Sequence, residues 1–366
     1  MKSCPICRND KLDTLYEAER VPIMQNLLYP SYEEAKEIKT ADIVLTQCRT
    51  CGFVFNSTFI PDMIQYDQSY DNEQGHSSFF SHHVDSVIDI ITTNFSFDAT
   101  IVEIGTGKGD FFEKLLLQGF NNIHGFDPAY EGNNPKITKE YFNINHKDID
   151  ADLIILRHTL EHINDPHSFL KQLACIVNKE CKIFIEVPDF EWIASKNAFW
   201  DIFYEHCNYF SANTFCKIFS KVEIFNLFNG QYLGILASLE DLRVTPDISQ
   251  PPKLYGAQHF SDLEKYKKMI NQNKCIVWGA GAKGVSFLNL FDNDRKLCEY
   301  IIDINHNKQH KFIGKTGHKV IGVEEAKRIM YKNKIEYILI MNENYKLEII
   351  EMVKDTNMLI YTIGED

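Results

Sequence analysis

Ile101-Val-Glu-Ile-Gly105-Thr-Gly107-Lys-Gly109-Asp110 is the stretch on which the reading of this chain turns. A short apolar run ends in three glycines spaced two apart, and a helix-forming segment over 110–118 follows. That order predicts strand, turn and helix, with glycines where a ligand must approach the backbone closely. A dinucleotide fingerprint would need its third glycine three residues after the second. Asp110 stands there instead. Glu103, two residues before the first glycine, adds an acid at the end of the strand.

Working outward, segments 101–104, 122–126, 153–156 and 182–187 read as strands, with helices over 110–118 and 168–177 between them. Alternation of this kind predicts an α/β unit with a parallel sheet and helices on both faces. Asp127 closes the second strand, 22 residues after Gly105. A carboxylate there can accept both hydroxyls of a ribose. Gly-x-Gly-x-Gly preceded by an acid resembles the first motif of class I S-adenosylmethionine-dependent methyltransferases. The resemblance implies that Gly105, Gly107 and Gly109 cradle that cofactor and that Glu103 acts on its cationic methionine end. Arg157 and His158, at the carboxyl end of the strand over 153–156, the fourth in class I methyltransferase order with 182–187 the fifth, become cofactor-pocket candidates by the same likeness.

A second alternation begins near Asp262, after a proline-bearing stretch over 241–261 that suits a linker. Its strands are expected at 275–278, 300–302, 337–341 and 359–362, with a helix running to Leu290. Here Gly279-x-Gly281-x-x-Gly284 does fit the dinucleotide spacing, with Asp303 about 20 residues on. Alone, that spacing suits a nicotinamide enzyme. Lys283, however, lies inside the turn, and residues 304–323 hold four lysines (Lys308, Lys311, Lys315, Lys319) and no acid. That local charge suits a diphosphate, with Gly281, Lys283 and Lys308 as its candidate contacts. A solvated basic loop is the bland alternative.

The chain has 366 residues, 38 Lys+Arg against 51 Asp+Glu, and a formal charge of −13. Such acidity opposes a broad grip on nucleic acid. An apolar fraction of 44% is enough for real cores, yet no apolar run reaches membrane-span length. No apolar signal core follows Met1, so the expected setting is cytoplasmic, away from membranes.

Ten cysteines divide into six scattered ones and two tight pairs, Cys4-Pro-Ile-Cys7 and Cys48-Arg-Thr-Cys51. Each pair points two sulfurs at one ion, and together they complete a four-thiolate shell for a structural zinc. Gly52 suits the tight turn after the second pair.

One motif misleads. His158-Thr-Leu-Glu161-His162 is the inverted zinc-protease pattern, but a strand leads directly into it, so Glu161 and His162 read as capping or supporting groups. After the fifth strand, Glu186-Val-Pro188, comes an aromatic stretch that ends in Tyr204-Glu205-His206. Three consecutive proton-active groups beyond a strand end form a candidate catalytic block, since histidine titrates near neutrality. A satisfied structural histidine is the competing reading, which the residues alone favour and only the family resemblance below reverses.

Taken together, the chain resembles the sugar C-methyltransferases of deoxysugar and surface-polysaccharide biosynthesis. The likeness rests on the cysteine knuckles with Gly52-Phe-Val-Phe-Asn56, on Glu186-Val-Pro188, and on Tyr204-Glu205-His206-x-x-Tyr209-Phe210-Ser211. In the last third it rests on Gly279–Gly284 with Asp303-Ile-Asn305, and on 342–348. It implies a zinc-binding subdomain over 1–75, a class I methyltransferase domain over 76–240, and a second Rossmann-like, substrate-binding domain over 241–366. It further implies a nucleotide-diphosphate sugar bearing a ketone as substrate, His206 as base, and Tyr204 and Glu205 as orienting groups. Within Tyr66–Ser78 a further active-site tyrosine is expected, Tyr70 with Tyr66 as the alternative. Two departures stand out: an Asn-Glu-Gln insert in that stretch, and no Gly-Asp before the fourth strand. Competing functions are an O- or N-methyltransferase with the same cofactor and a nicotinamide-dependent oxidoreductase.

Overall fold

The computed structural model describes residues 3–65, 75, 77–178, 180–256, 275–296 and 299–364. Its central sheet has seven strands. In spatial order they are Glu223–Leu227, Tyr232–Ser238, Lys182–Pro188, Leu153–Arg157, Ile101–Ile104, Ile123–Phe126 and Ile137–Thr138. Only Tyr232–Ser238 runs against its neighbours; it pairs antiparallel with both Lys182–Pro188 and Glu223–Leu227. This is the class I methyltransferase form of the Rossmann-like fold. The four parallel strands expected from sequence sit side by side. Leu153–Arg157 is buried through its first four residues, as a strand with helices on both faces must be. The helix Asp110–Gln118 starts at Gly109 and stops at Gly119, both in left-handed conformation. Those ends need glycine, because a side chain is strained there.

A second seven-stranded sheet runs Leu359–Thr362, Tyr337–Ile340, Cys275–Trp278, Tyr300–Ile302, Lys319–Ile321, Phe312–Ile313 and Leu28–Tyr29. Its first five strands are parallel neighbours. The last strand comes from the amino-terminal third and pairs antiparallel with Phe312–Ile313. The acid-free basic stretch is thus largely a hairpin on which an early strand is laid.

A third, antiparallel sheet orders Leu12–Pro22, Thr40–Cys48, Val54–Asn56 and Asn208–Tyr209. Its fourth strand is lent by the segment that follows Tyr204-Glu205-His206. Cys4, Cys48 and Cys51 pack in one buried cluster with Phe210, Phe215 and the central sheet. Arg8, in the first knuckle, donates to Asp165, the cap of helix Pro166–Ile176, at 2.6 and 2.7 Å. The proline-bearing stretch is also anchored. Gln47 donates to the Lys253 carbonyl at 3.1 Å and accepts from Tyr255 N–H at 2.8 Å.

Candidate active site

Gly105, Gly107 and Gly109 all have left-handed φ, at +82°, +56° and +91°. They differ in what surrounds them. A Cβ on Gly105 would meet Thr159 Oγ1 at 2.4 Å, whereas one on Gly107 would meet nothing within 4 Å. The loop is therefore packed at its start and open at its middle, as a cradle for a ligand must be. Asp127 braces it: its Oδ2 accepts from Gly107 N–H and its Oδ1 from Ala129 N–H, both at 2.8 Å. Each oxygen keeps a lone pair for a further donor.

Glu103 is buried, and its Oε2 has no hydrogen-bond partner. Burial, opposed by Arg157 and reinforced by Asp127 and Asp110, pushes its carboxyl up to about 8. An orphaned buried carboxylate beside an open glycine cradle fits a ligand that brings a positive charge. S-adenosylmethionine is such a ligand, so the residues present fit that cofactor.

Strand ends next to this loop carry a connected set of charges. Glu186 is fully buried and lies at its centre. Its Oε2 accepts from Arg157 Nε at 2.5 Å, its Oε1 lies 2.6 Å from His83 Nε2, and His158 Nε2 stands 3.5 Å away. Burial would raise this carboxyl, but Arg157 and His158 outweigh it and hold Glu186 well below the usual range. The Arg157 guanidinium lies over the Phe111 ring, 4.2 Å from its centroid. His158 takes a left-handed φ of +47°, a strained backbone of the kind found at working sites. Burial opposes charge on its ring, yet Glu186 and Glu161 push it up to about 9.

His206 lies beside Glu161. The His162 and His206 rings cross edge-on at 4.8 Å between centroids. One donor atom from each of Glu161, His162 and His206 falls within 4.8 Å of the other two. Burial first, then His162, His158 and Lys283, keeps the His206 ring well below the ordinary imidazole value. It is therefore neutral near pH 7, with a lone pair to offer.

The neighbours of His206 in sequence face elsewhere. The Tyr204 hydroxyl accepts from Ile60 N–H at 3.0 Å and lies 3.6 Å from Met63 Sδ, in the core shared with the amino-terminal sheet. Glu205 accepts from Gln25 N–H at 2.9 Å. Both residues thus hold the amino-terminal part against the loop of the candidate base His206, the base loop. Tyr70 and Tyr66 lie outside the described residues.

At the second glycine loop, Gly279 has φ +108° and open space where a Cβ would stand. Asp303 accepts from Ala280 N–H at 2.7 Å and Asn305 N–H at 2.8 Å, the bracing that Asp127 gives the first loop. Gly281 faces Asn26, whose Oδ1 would lie 3.9 Å from a Cβ there. Lys283 does not project alone into this turn; its ammonium pairs with Asp201 and lies 3.4 Å from Gln231 Oε1. Lys308 is buried. One short segment therefore touches the base loop at Gln25, passes Gly281 at Asn26, and enters the second sheet at Leu28.

The four cysteines meet as expected. Cys4 and Cys51 sulfurs are 3.5 Å apart, as are those of Cys7 and Cys48. Four sulfurs about 2.3 Å from one zinc stand nearly that far apart along a tetrahedral edge. The donor set fits a closed zinc shell.

His83 was not foreseen from sequence. Its signal was a histidine on the buried face of helix Ser78–Asn94, beside Val84, Val87, Ile88 and Ile91. His162 and Glu161 carried a signal that was read as supporting. Leu160–His162 is a short 3₁₀ turn, not the helix a zinc protease needs, so that motif is accidental.

Comparison with known proteins agrees with this geometry. Residues 80–223 match the methyltransferase domain model, and residues 258–359 match the model described as the C-methyltransferase C-terminal domain. The C-methyltransferase NovU of Streptomyces niveus is 24% identical over 237 residues, 60% of this chain and 54% of that protein. The match thus spans about half the length of this curated relative. Similar solved structures include CalO1, a methyltransferase in calicheamicin biosynthesis seen with S-adenosylhomocysteine bound. It has 11% identity, covering 39% of this chain and 50% of that one, with a TM-score of 0.29. The methyltransferase domain of a bacterial Hen1 has 13% identity, covering 44% and 100%, with a TM-score of 0.32. A methyltransferase domain followed by a C-methyltransferase C-terminal domain, together with the likeness to a curated C-methyltransferase, supports an S-adenosylmethionine-dependent methyltransferase similar to the C-methyltransferases.

Proposed function

We propose that the chain transfers a methyl group to a ring carbon of a nucleotide-linked ketosugar, with His206 as the base. The observation that carries the reading is a neutral, half-buried histidine beside Glu161, next to strand ends that hold an open glycine cradle.

S-adenosylmethionine, held by Glu103, Asp127 and the loop over 105–109, supplies an electrophilic methyl when bound. The chain's residues must then make a carbon nucleophilic. A ketone acidifies the hydrogens on its α-carbon, and Nε2 or Nδ1 of a neutral His206 can accept one. The imidazolium so formed lies beside Glu161. Proton removal leaves an enolate whose oxygen needs a donor; Tyr70, expected from the resemblance, is the residue assigned to it. Arg157 and His158, fixed by Glu186, keep the floor between base and cradle rigid, and positioning of that kind supplies much of the rate.

Gly279 and Gly281 leave open backbone beside Asn26, and this supports a diphosphate there. The path from Gln25 to Asn26 supports a substrate that spans both loops. A structural zinc on Cys4, Cys7, Cys48 and Cys51 would tie down the sheet that receives Asn208–Tyr209, and hence the base loop.

The test is incubation with S-adenosylmethionine and a panel of nucleotide 4-ketosugars, with product mass and methyl position read by mass spectrometry and NMR. The expected product carries a new C–CH₃ bond. Solvent deuterium should enter the α-carbon with wild type and not with His206→Ala. Full-rate methylation by His206→Ala, or a methyl on oxygen or nitrogen, overturns the proposal.

A further inference from the structure

We propose that Glu161, His162 and His206 form a second metal site, which binds a divalent first-row transition ion and thereby blocks the base. The site is separate from the four-cysteine cluster. Its donors are one carboxylate and two imidazoles within 4.8 Å of one another.

Three observations carry the assignment. Glu161 is 1% exposed, and neither of its carboxylate oxygens has a hydrogen-bond partner. A buried carboxylate oxygen with no donor is costly and favours a cation; His158 Nδ1 stands 3.5 Å from Oε1 and leaves Oε2 without a partner. His162 Nδ1 lies 3.0 Å from the Glu205 carbonyl. A carbonyl only accepts, so Nδ1 carries the hydrogen and Nε2 presents a lone pair. Metal-bound histidines are oriented by this same carbonyl contact. The third donor is His206, whose ring crosses that of His162 edge-on at 4.8 Å between centroids.

Two imidazoles and a carboxylate suit divalent iron, cobalt, nickel and zinc, and leave positions open for water or substrate. Ions of this size hold nitrogen and oxygen at about 2.0–2.2 Å. Neighbouring donors then lie roughly 3–3.5 Å apart, so closure of up to about 1.5 Å by side-chain rotation would complete the site. A metal on His206 takes the lone pair that would remove the substrate proton. Binding depends only on the three side chains; inhibition rests on the role given to His206 above.

The experiment titrates the full-length, zinc-loaded protein with Co²⁺. One further ion should bind per chain, with visible d–d absorption and without the thiolate charge-transfer band that exchange into the cysteine cluster would give. Glu161→Gln and His162→Gln should each weaken that binding at least tenfold while keeping the zinc content and the ability to bind S-adenosylmethionine, which shows that they fold. Absence of a second ion, or equal binding by both variants, overturns the proposal. Methyl transfer by wild type should fall as the site fills. Binding without inhibition overturns the blocking role alone, and a different result for His206→Ala in the deuterium assay leaves the metal titration as it stands.

Discussion

In the core of the central domain, Nε2 of His83 lies 2.6 Å from Oε1 of Glu186, with both side chains almost wholly withdrawn from water. The other Glu186 oxygen is held by Arg157. One carboxylate therefore fixes an early helix and the end of the fourth strand at once. Glu186→Gln removes the charge that compensates Arg157 and His158. The expected loss is about 3–5 kcal/mol of unfolding free energy, the usual effect of breaking a buried pair, read by urea denaturation. The sign with pH follows. Glu186 ionises near 4.5 when unfolded and lower when folded. Its contribution is in place above pH 4.5 and is lost as pH falls below it. The stability gap between wild type and Glu186→Gln should close in acid.

Glu103 behaves the opposite way. Its ordinary value is 4.5, and burial pushes it up to about 8. Its protonated form favours the fold below pH 4.5, and that advantage is lost as pH rises through 8. A cationic cofactor favours the ionised form. Binding of S-adenosylmethionine below pH 8 should therefore release a proton, and affinity should rise up to tenfold per pH unit between about 5 and 8. Calorimetry in two buffers of different ionisation enthalpy measures the released proton. Glu103→Gln should bind more weakly and release none.

The glycine loop separates packing from binding. Gly105→Ala places a methyl 2.4 Å from Thr159 Oγ1 at a positive φ, and should cost at least about 1–3 kcal/mol of stability. Gly107→Ala meets open space, so it should cost about 1 kcal/mol for the backbone alone. Its methyl would stand where the cofactor approaches, and affinity should drop more than tenfold. Melting temperature and calorimetric affinity, measured on both variants, distinguish the two effects.

Removal of the predicted zinc should act at a distance. Cys51→Ser, or a strong chelator, should take one zinc per chain and lower the melting temperature. Because Asn208–Tyr209 is part of the same sheet, methyl transfer should fall as well, although the cysteines form a group separate from Glu161, His162 and His206. Metal analysis alongside the melt checks this; an unchanged melt after zinc loss would exclude a structural ion.

The parallel core was legible because short apolar runs bounded by glycine mark buried strands. Ile101–Ile104 and Cys275–Trp278 lie where that pattern puts them and are buried along their length, whereas Leu359–Thr362, also found where expected, is a largely exposed edge strand. Helix Pro166–Ile176 starts two residues earlier than periodicity suggests, because Asp165 caps it and Pro166 suits a first turn. Strands made by long-range pairing were not legible. Leu28–Tyr29 is two residues long, and nothing local marks a partner almost 300 positions away. The sequence singled out Glu103, the glycines and His206 because chemistry is concentrated there, and the structure places Glu103 buried beside the glycine loop and His206 beside Glu161. Tyr204 shows the limit of reading by adjacency. Successive side chains point in different directions, so its hydroxyl meets Ile60 and Met63, not the ring two residues on.

The strand Leu28–Tyr29 also sets an order of events in time. It leaves the ribosome early, yet its partner Phe312–Ile313 follows some 280 residues later, or ~15–60 s at ordinary rates of synthesis. Throughout that interval the two-residue strand has no sheet to join. The segment that touches the base loop at Gln25 and the second glycine loop at Asn26 is fastened last at its Leu28 end. Completion of the second sheet is thus a late checkpoint, and a chain cut short before residue 312 would carry the cofactor loop without a finished bridge between the two glycine loops.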